Sequence, residues 1–95
     1  MNLPSKHSNT GRVLRTMHGA GPMTAGAIRR KAGFHADTEI TARIRELRDS
    51  YSCEIPPAKR VQQLDGKAIY LYHLVSVSHW MSEALNEEAC RRIAA

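Results

Sequence analysis

Cysteine is scarce in this chain, and long apolar runs are missing altogether. Two cysteines, Cys53 and Cys90, cannot make a disulfide framework of the secreted kind, so a reducing cytosol and two free thiols are expected. No stretch approaches the roughly 20 apolar residues that a membrane span requires. The opening segment, Met1-Asn2-Leu3-Pro4-Ser5-Lys6, has no apolar h-region, so no secretory leader is expected. Catalytic signatures are missing too. Gly19-Ala20-Gly21 fails as a dinucleotide fingerprint, because Thr24 stands where the third glycine belongs and Pro22 intervenes. Gly66-Lys67-Ala68 lacks the hydroxyl and the upstream glycine of a phosphate loop. Five histidines and two cysteines show no Cys-x-x-Cys or His-x-x-x-His pairing. Neither an enzyme, a metal site nor a cofactor is therefore expected. Cys53, beside an expected strand, reads as a small core residue, and His35 as packing in a turn.

What the chain does hold is positive charge, unevenly placed. Its 95 residues carry 14 Lys and Arg against 9 acids, a net +5, and 42% of them are hydrophobic. That is one domain with one modest core. Residues 1–74 hold twelve basic and six acidic side chains, while residues 75–95 hold two and three. The charge sits in the body, which points to a polyanionic partner, and the tail must serve another purpose.

The order of elements follows from periodicity and breakers. Residues 1–8 are polar and aperiodic, and read as a flexible tail. Asn9 or Thr10 caps a first helix to about Met17, with Val13, Leu14 and Met17 buried. Gly19 to Pro22 break it. Thr24 caps a second helix, Ala25 to Ala32, burying Ala25, Ile28 and Ala32, with Gly33 as its left-handed terminus. After the short turn Phe34-His35-Ala36-Asp37, Asp37 or Thr38 caps a third helix of about Thr38 to Ser50 on an Ile40/Ile44/Leu47 stripe. Ser52 to Ile55 reads as a short strand ended by Pro56-Pro57. Asp65-Gly66, between the β-prone runs 59–64 and 67–75, predicts a two-residue type I′ hairpin that pairs Gln62 with Ile69, Val61 with Tyr70 and Arg60 with Leu71. A last helix runs from Ser78 to about Ile93. Three divisions result: the tail 1–8, a body 9–75 and the terminal helix 76–95.

Two helices joined by so short a turn must cross steeply, leaving one side of the third open to solvent. With the following hairpin, this predicts an α+β winged helix-turn-helix with an additional C-terminal helix. Ile40-Thr41-Ala42-Arg43-Ile44-Arg45-Glu46-Leu47-Arg48, then Ile55, then a hairpin ending Tyr72-His73-Leu74, resembles the small winged-helix proteins of bacteriophages and prophages. The resemblance spans roughly residues 11–74 and does not cover the terminal helix. It implies DNA binding and gene control, in a bacterial or phage-infected cytoplasm, without naming a target.

Within that frame, the third helix is expected to read the major groove through Thr38, Thr41, Ala42, Arg43, Arg45 and Arg48. Arg45 suits a guanine edge, the threonines suit phosphate or base, and Ala42 suits a thymine methyl. Arg29, Arg30 and Lys31 close the second helix, where they suit phosphates or simply the helix dipole. Arg60 and Lys67 in the wing are backbone contacts. Trp80, Met81, Ala84 and Leu85 form the apolar side of the terminal helix and are expected to pair with a second copy, giving a homodimer that reads two half-sites. The competing expectation is a winged-helix interaction module that binds a host or phage protein, because Glu39, Glu46 and Asp49 interrupt the basic surface of the third helix.

Overall fold

In the computed structural model, residues 3–35, 39–62 and 68–94 are described. Seven elements follow in the order α1 (Asn9–Met17), β1 (Met23–Thr24), α2 (Ala25–Ala32), α3 (Ile40–Ser50), β2 (Lys59–Gln62), β3 (Ala68–Tyr72) and α4 (His79–Ala94). The fold is α+β: four helices and a small antiparallel sheet in the order β1-β3-β2.

Helix ends explain much of the layout. Ser8, not Asn9 or Thr10, caps α1: its hydroxyl accepts from the Gly11 amide at 3.0 Å. Thr10 has another use, because its side chain is buried and donates to Glu46 Oε2 of α3 at 2.8 Å. Gly19 and Gly21 follow α1 with φ of +74° and +76°, conformations that cost glycine nothing, and they turn the chain into β1. Thr24 caps α2 through Ala27, and Gly33 closes it at φ +75°. Both expectations hold. α3 begins at Ile40 with Glu39 at its N-cap and no side-chain cap bond; Asp37 and Thr38 lie outside the described residues.

The third strand of the sheet is β1, not Ser52–Ile55 as the sequence predicts. Met23 pairs with Tyr72 and Thr24 with Leu71. The 52–55 segment makes only one bridge, Glu54 with Ser76. Ser52 adopts φ +54° just before it, and the prolines after it supply no amides to extend a ladder. The segment still serves the core, burying Cys53 and Ile55.

The hairpin register also differs from that of a two-residue Asp65-Gly66 loop. Gln62 pairs with Ala68, Val61 with Ile69, Arg60 with Tyr70 and Lys59 with Leu71, one residue out of step. Residues 63–67, the turn included, lie outside the described residues. β3 must also match β1 on its other side and deliver Leu74 to the core, and these requirements outweigh a local turn preference. The slip puts Arg60 on the face of Tyr70 and Tyr72.

The core joins Val13, Leu14 and Met17 of α1 to Ile28 of α2, Ile40, Ile44 and Leu47 of α3, then Cys53, Ile55, Leu74, Met81 and Leu85. The last two bear on the oligomerisation residues expected on α4. Met81 is 0% exposed and Leu85 is buried, while Trp80 and Val77 pack against the same core. The apolar side of α4 is therefore covered by its own chain, because three short helices and a small sheet leave the core open until α4 closes it. Arg15 secures the closure, with Nε and Nη2 donating to the two carboxylate oxygens of Glu88 at 2.8 and 2.7 Å. The same guanidinium donates to the Pro4 carbonyl at 2.9 Å. Residues 3–8 are thus placed against α1 instead of forming a loose tail: Pro4 is buried, Leu3 packs on the core, and Ser8 N–H donates to the Ser5 carbonyl at 3.0 Å. Gly11 permits this approach, since a Cβ there would stand 1.9 Å from the Ser5 oxygen.

Candidate nucleic-acid interface

Position in the fold sorts the cations into two groups. The first group makes internal contacts. Arg12 lies 4.4 Å from the Phe34 ring centroid and donates to the Ala32 carbonyl at the end of α2. Arg15 holds Glu88 and Pro4, Arg43 stands 3.4 Å from Glu46, and Arg91 pairs with Glu87 at 2.7 Å. Arg48, expected on DNA, donates Nε to the Ile55 carbonyl at 2.9 Å, pinning the segment that leads into β2. Arg29 is half-buried and engaged within the chain.

The second group is exposed and makes no hydrogen bond or ion pair among the described residues: Lys6, Arg30, Lys31, Arg45, Lys59 and Arg60. Apart from Lys6, these lie on the end of α2, the outer side of α3 and β2. Such side chains keep their full charge for a partner.

α3 presents them in a usable way. Ile40, Ile44 and Leu47 face inward, so Thr41, Arg45 and Arg48 follow one another along an exposed side at i, i+4 and i+7. From Thr41 to Arg48 the rise is about 10 Å, against a major groove about 12 Å wide. Ala42 is half-buried on the edge of that side. Glu46 is turned away: it accepts from Thr10 and neighbours Arg43, so it does not interrupt the basic row. Glu39 and Asp49 remain exposed near the two ends of the helix. Of the sequence-predicted residues, Thr38 and Lys67 lie outside the described residues, and Thr41, Ala42, Arg45, Arg30, Lys31 and Arg60 are accessible. Arg29, Arg43 and Arg48 are committed wholly or partly to the fold.

One residue escaped the sequence reading. Tyr70 is 46% exposed, and it is directly opposite Arg60 across the hairpin. It sits in a groove of about 490 Å³ lined by Thr24, Ala25, Gly26, Arg30, Ile69, Tyr70 and Tyr72. The alternation Ile69-Tyr70-Leu71-Tyr72 marks it as surface-capable, but only the observed register pairs it with a cation.

Among the described residues, no three His, Cys, Asp or Glu side chains cluster as metal ligands. Burial pushes the Cys53 thiol up to about 11, which removes it as a nucleophile at neutral pH. No helix among the described residues is long and apolar enough to cross a membrane. No protein-family model matches the chain, and no curated protein or solved structure is significantly similar to it.

Proposed function

We propose that this chain is a winged helix-turn-helix protein that binds double-stranded DNA and regulates transcription of phage or prophage genes. The single observation that carries the reading is the sorting of charge. Cations that the fold does not use collect on α2, α3 and β2, while the acid in the middle of α3, Glu46, faces α1. In this reading β1, β2 and β3 form the wing sheet, and α2 and α3 are the helix-turn-helix. α3 enters the major groove with Arg45 on a guanine edge, Thr41 on a phosphate or base and Ala42 on a thymine methyl. Lys59 and Arg60 follow the backbone, and Lys67, outside the described residues, is assigned the same role.

The test is selection of bound sequences from a random duplex library, followed by titration of the winner at several salt concentrations. A recovered motif of a few base pairs with a steep salt dependence supports the reading. Absence of duplex binding at about 50 mM salt, where phosphate contacts are strongest, refutes it. A second reading rests on Glu39 and Asp49, which give the exposed side of α3 mixed charge: a protein partner takes this surface instead. Failure to select DNA, combined with a saturable complex with one protein, decides for that reading.

A further inference from the structure

The groove between α2 and β3 has no residue of the proposed reading helix α3 in its lining, and its chemistry is distinctive. Its lining combines one guanidinium, Arg30, with two phenols, Tyr70 and Tyr72, and contains no carboxylate. Arg60 adds a second exposed cation directly across the hairpin from Tyr70. Tyr70 leaves nearly half of its surface in water, although Ile69, Leu71 and Tyr72 are better covered. The groove also lies between α2, which packs on α3, and β3, which pairs with the basic strand β2. Positive charge, phenolic donors and absence of competing acid favour an anion, and a phosphodiester oxygen suits all three.

We infer that this groove holds a backbone phosphate of the same duplex, between the Arg30 guanidinium and the Tyr70 hydroxyl; this rests on the DNA-binding reading above. A phosphate oxygen accepts from Arg30 on the α2 wall and from the Tyr70 O–H on the sheet wall. Arg60 contributes potential from the neighbouring strand. Such a contact fixes the register of α3 on the duplex and carries no sequence information. Tyr70 and Arg30 are therefore positioning residues, and Arg45 specifies.

Gly26 offers a sharp test. It lines the groove, and the nearest atom a Cβ at this position would meet, its own helix's backbone aside, is Arg30 Nη1 at 3.8 Å, so a side chain fits. Gly26→Glu puts a carboxylate into the groove while adding an acid to the first turn of α2, which the helix dipole favours, and removing a helical glycine. The variant is expected to melt no lower than the full wild-type chain yet to bind the selected duplex at least about tenfold more weakly at low salt. Tyr70→Phe is expected to lose about tenfold on specific and random duplexes alike. Arg30→Gln should flatten the log K against log[salt] slope by about 0.9. If all three variants bind as the wild type does while Arg45→Ala loses affinity, the groove proposal is overturned and the DNA reading stands. If the wild type binds no duplex, both fall. Should Gly26→Glu not fold, the two exposed substitutions decide alone.

Discussion

Arg12 places its charge at the carbonyl end of α2, where the helix dipole is negative, and Arg48 holds the chain as it leaves α3 for β2. Arg45, three residues before Arg48, touches no partner among the described residues. Single-residue variants should therefore separate two kinds of loss. Arg45→Ala should leave the melting temperature unchanged, cost about 1–3 kcal/mol on the selected site and relax preference at one base position. Arg48→Ala should lower stability by about 1 kcal/mol and weaken binding to all sequences through a displaced hairpin. Binding-site selection and thermal melts on the same samples check both. Cys53 gives a pH signature. Its folded-state value, about 11, lies above the ordinary 9.0, so the folded state holds the proton more tightly. Its contribution is complete below about pH 9 and falls as pH rises toward 11, at about 1.4 kcal/mol per unit. Denaturant melts of the wild type and Cys53→Ala between pH 8 and 11 should converge as pH rises. A constant gap would show that the thiol is not protected.

At the scale of elements, α4 decides between two architectures. Because Met81 and Leu85 bury in their own chain, Met81→Ala should cost about 2–5 kcal/mol, and truncation after Val75 should give a chain without a cooperative melt. Sedimentation should find the full chain monomeric at tens of micromolar; a folded monomeric truncation would return α4 to the role of dimer helix. The sequence could not settle this, since an apolar helix side has the same pattern whichever surface covers it. Helix content and core were legible because Val13, Leu14, Met17, Ile28, Ile40, Ile44 and Leu47 repeat at helical spacing, and Thr24 and Gly33 mark ends by side-chain and φ requirements. β1 was not legible: two residues, Met23 and Thr24, carry no alternation. The Asp65-Gly66 signal was strong and still misplaced the register, because β3 answers to two neighbours and a core residue at once. The same limit hid Tyr70 from the candidate site. Arg45 was readable from its place opposite the Ile40/Ile44/Leu47 stripe, whereas the commitment of Arg48 to Ile55 depends on contacts that no spacing encodes.

At the scale of the whole molecule, the proposed DNA binding predicts a salt response. If Arg30, Lys31, Arg45, Lys59, Arg60 and Lys67 neutralise about five or six phosphates, log K against log[salt] should fall with a slope of about −5. Fluorescence anisotropy between 50 and 300 mM salt measures it, and a slope shallower than about −2 would mean that most of these cations point away from the duplex.

Arg15 also has a consequence for how the chain is wired. One guanidinium fastens the Pro4 carbonyl, eleven positions before it, and the Glu88 carboxylate, 73 positions after it. Leu3 to Lys6 accordingly border one cleft with Glu88 and Arg91, so the first described residues and the later turns of α4 are neighbours in space. Closing a loop of that length is entropically demanding, and because the core is incomplete without Met81 and Leu85, docking of α4 and consolidation of α1 and α3 belong to one cooperative step. Hydrogen exchange should show the core amides of α4, α1 and α3 opening together. A short linker joining the extremities would convert that demanding closure into a covalent one, so a circular permutant opened elsewhere in the chain should dock α4 faster and exchange it more slowly.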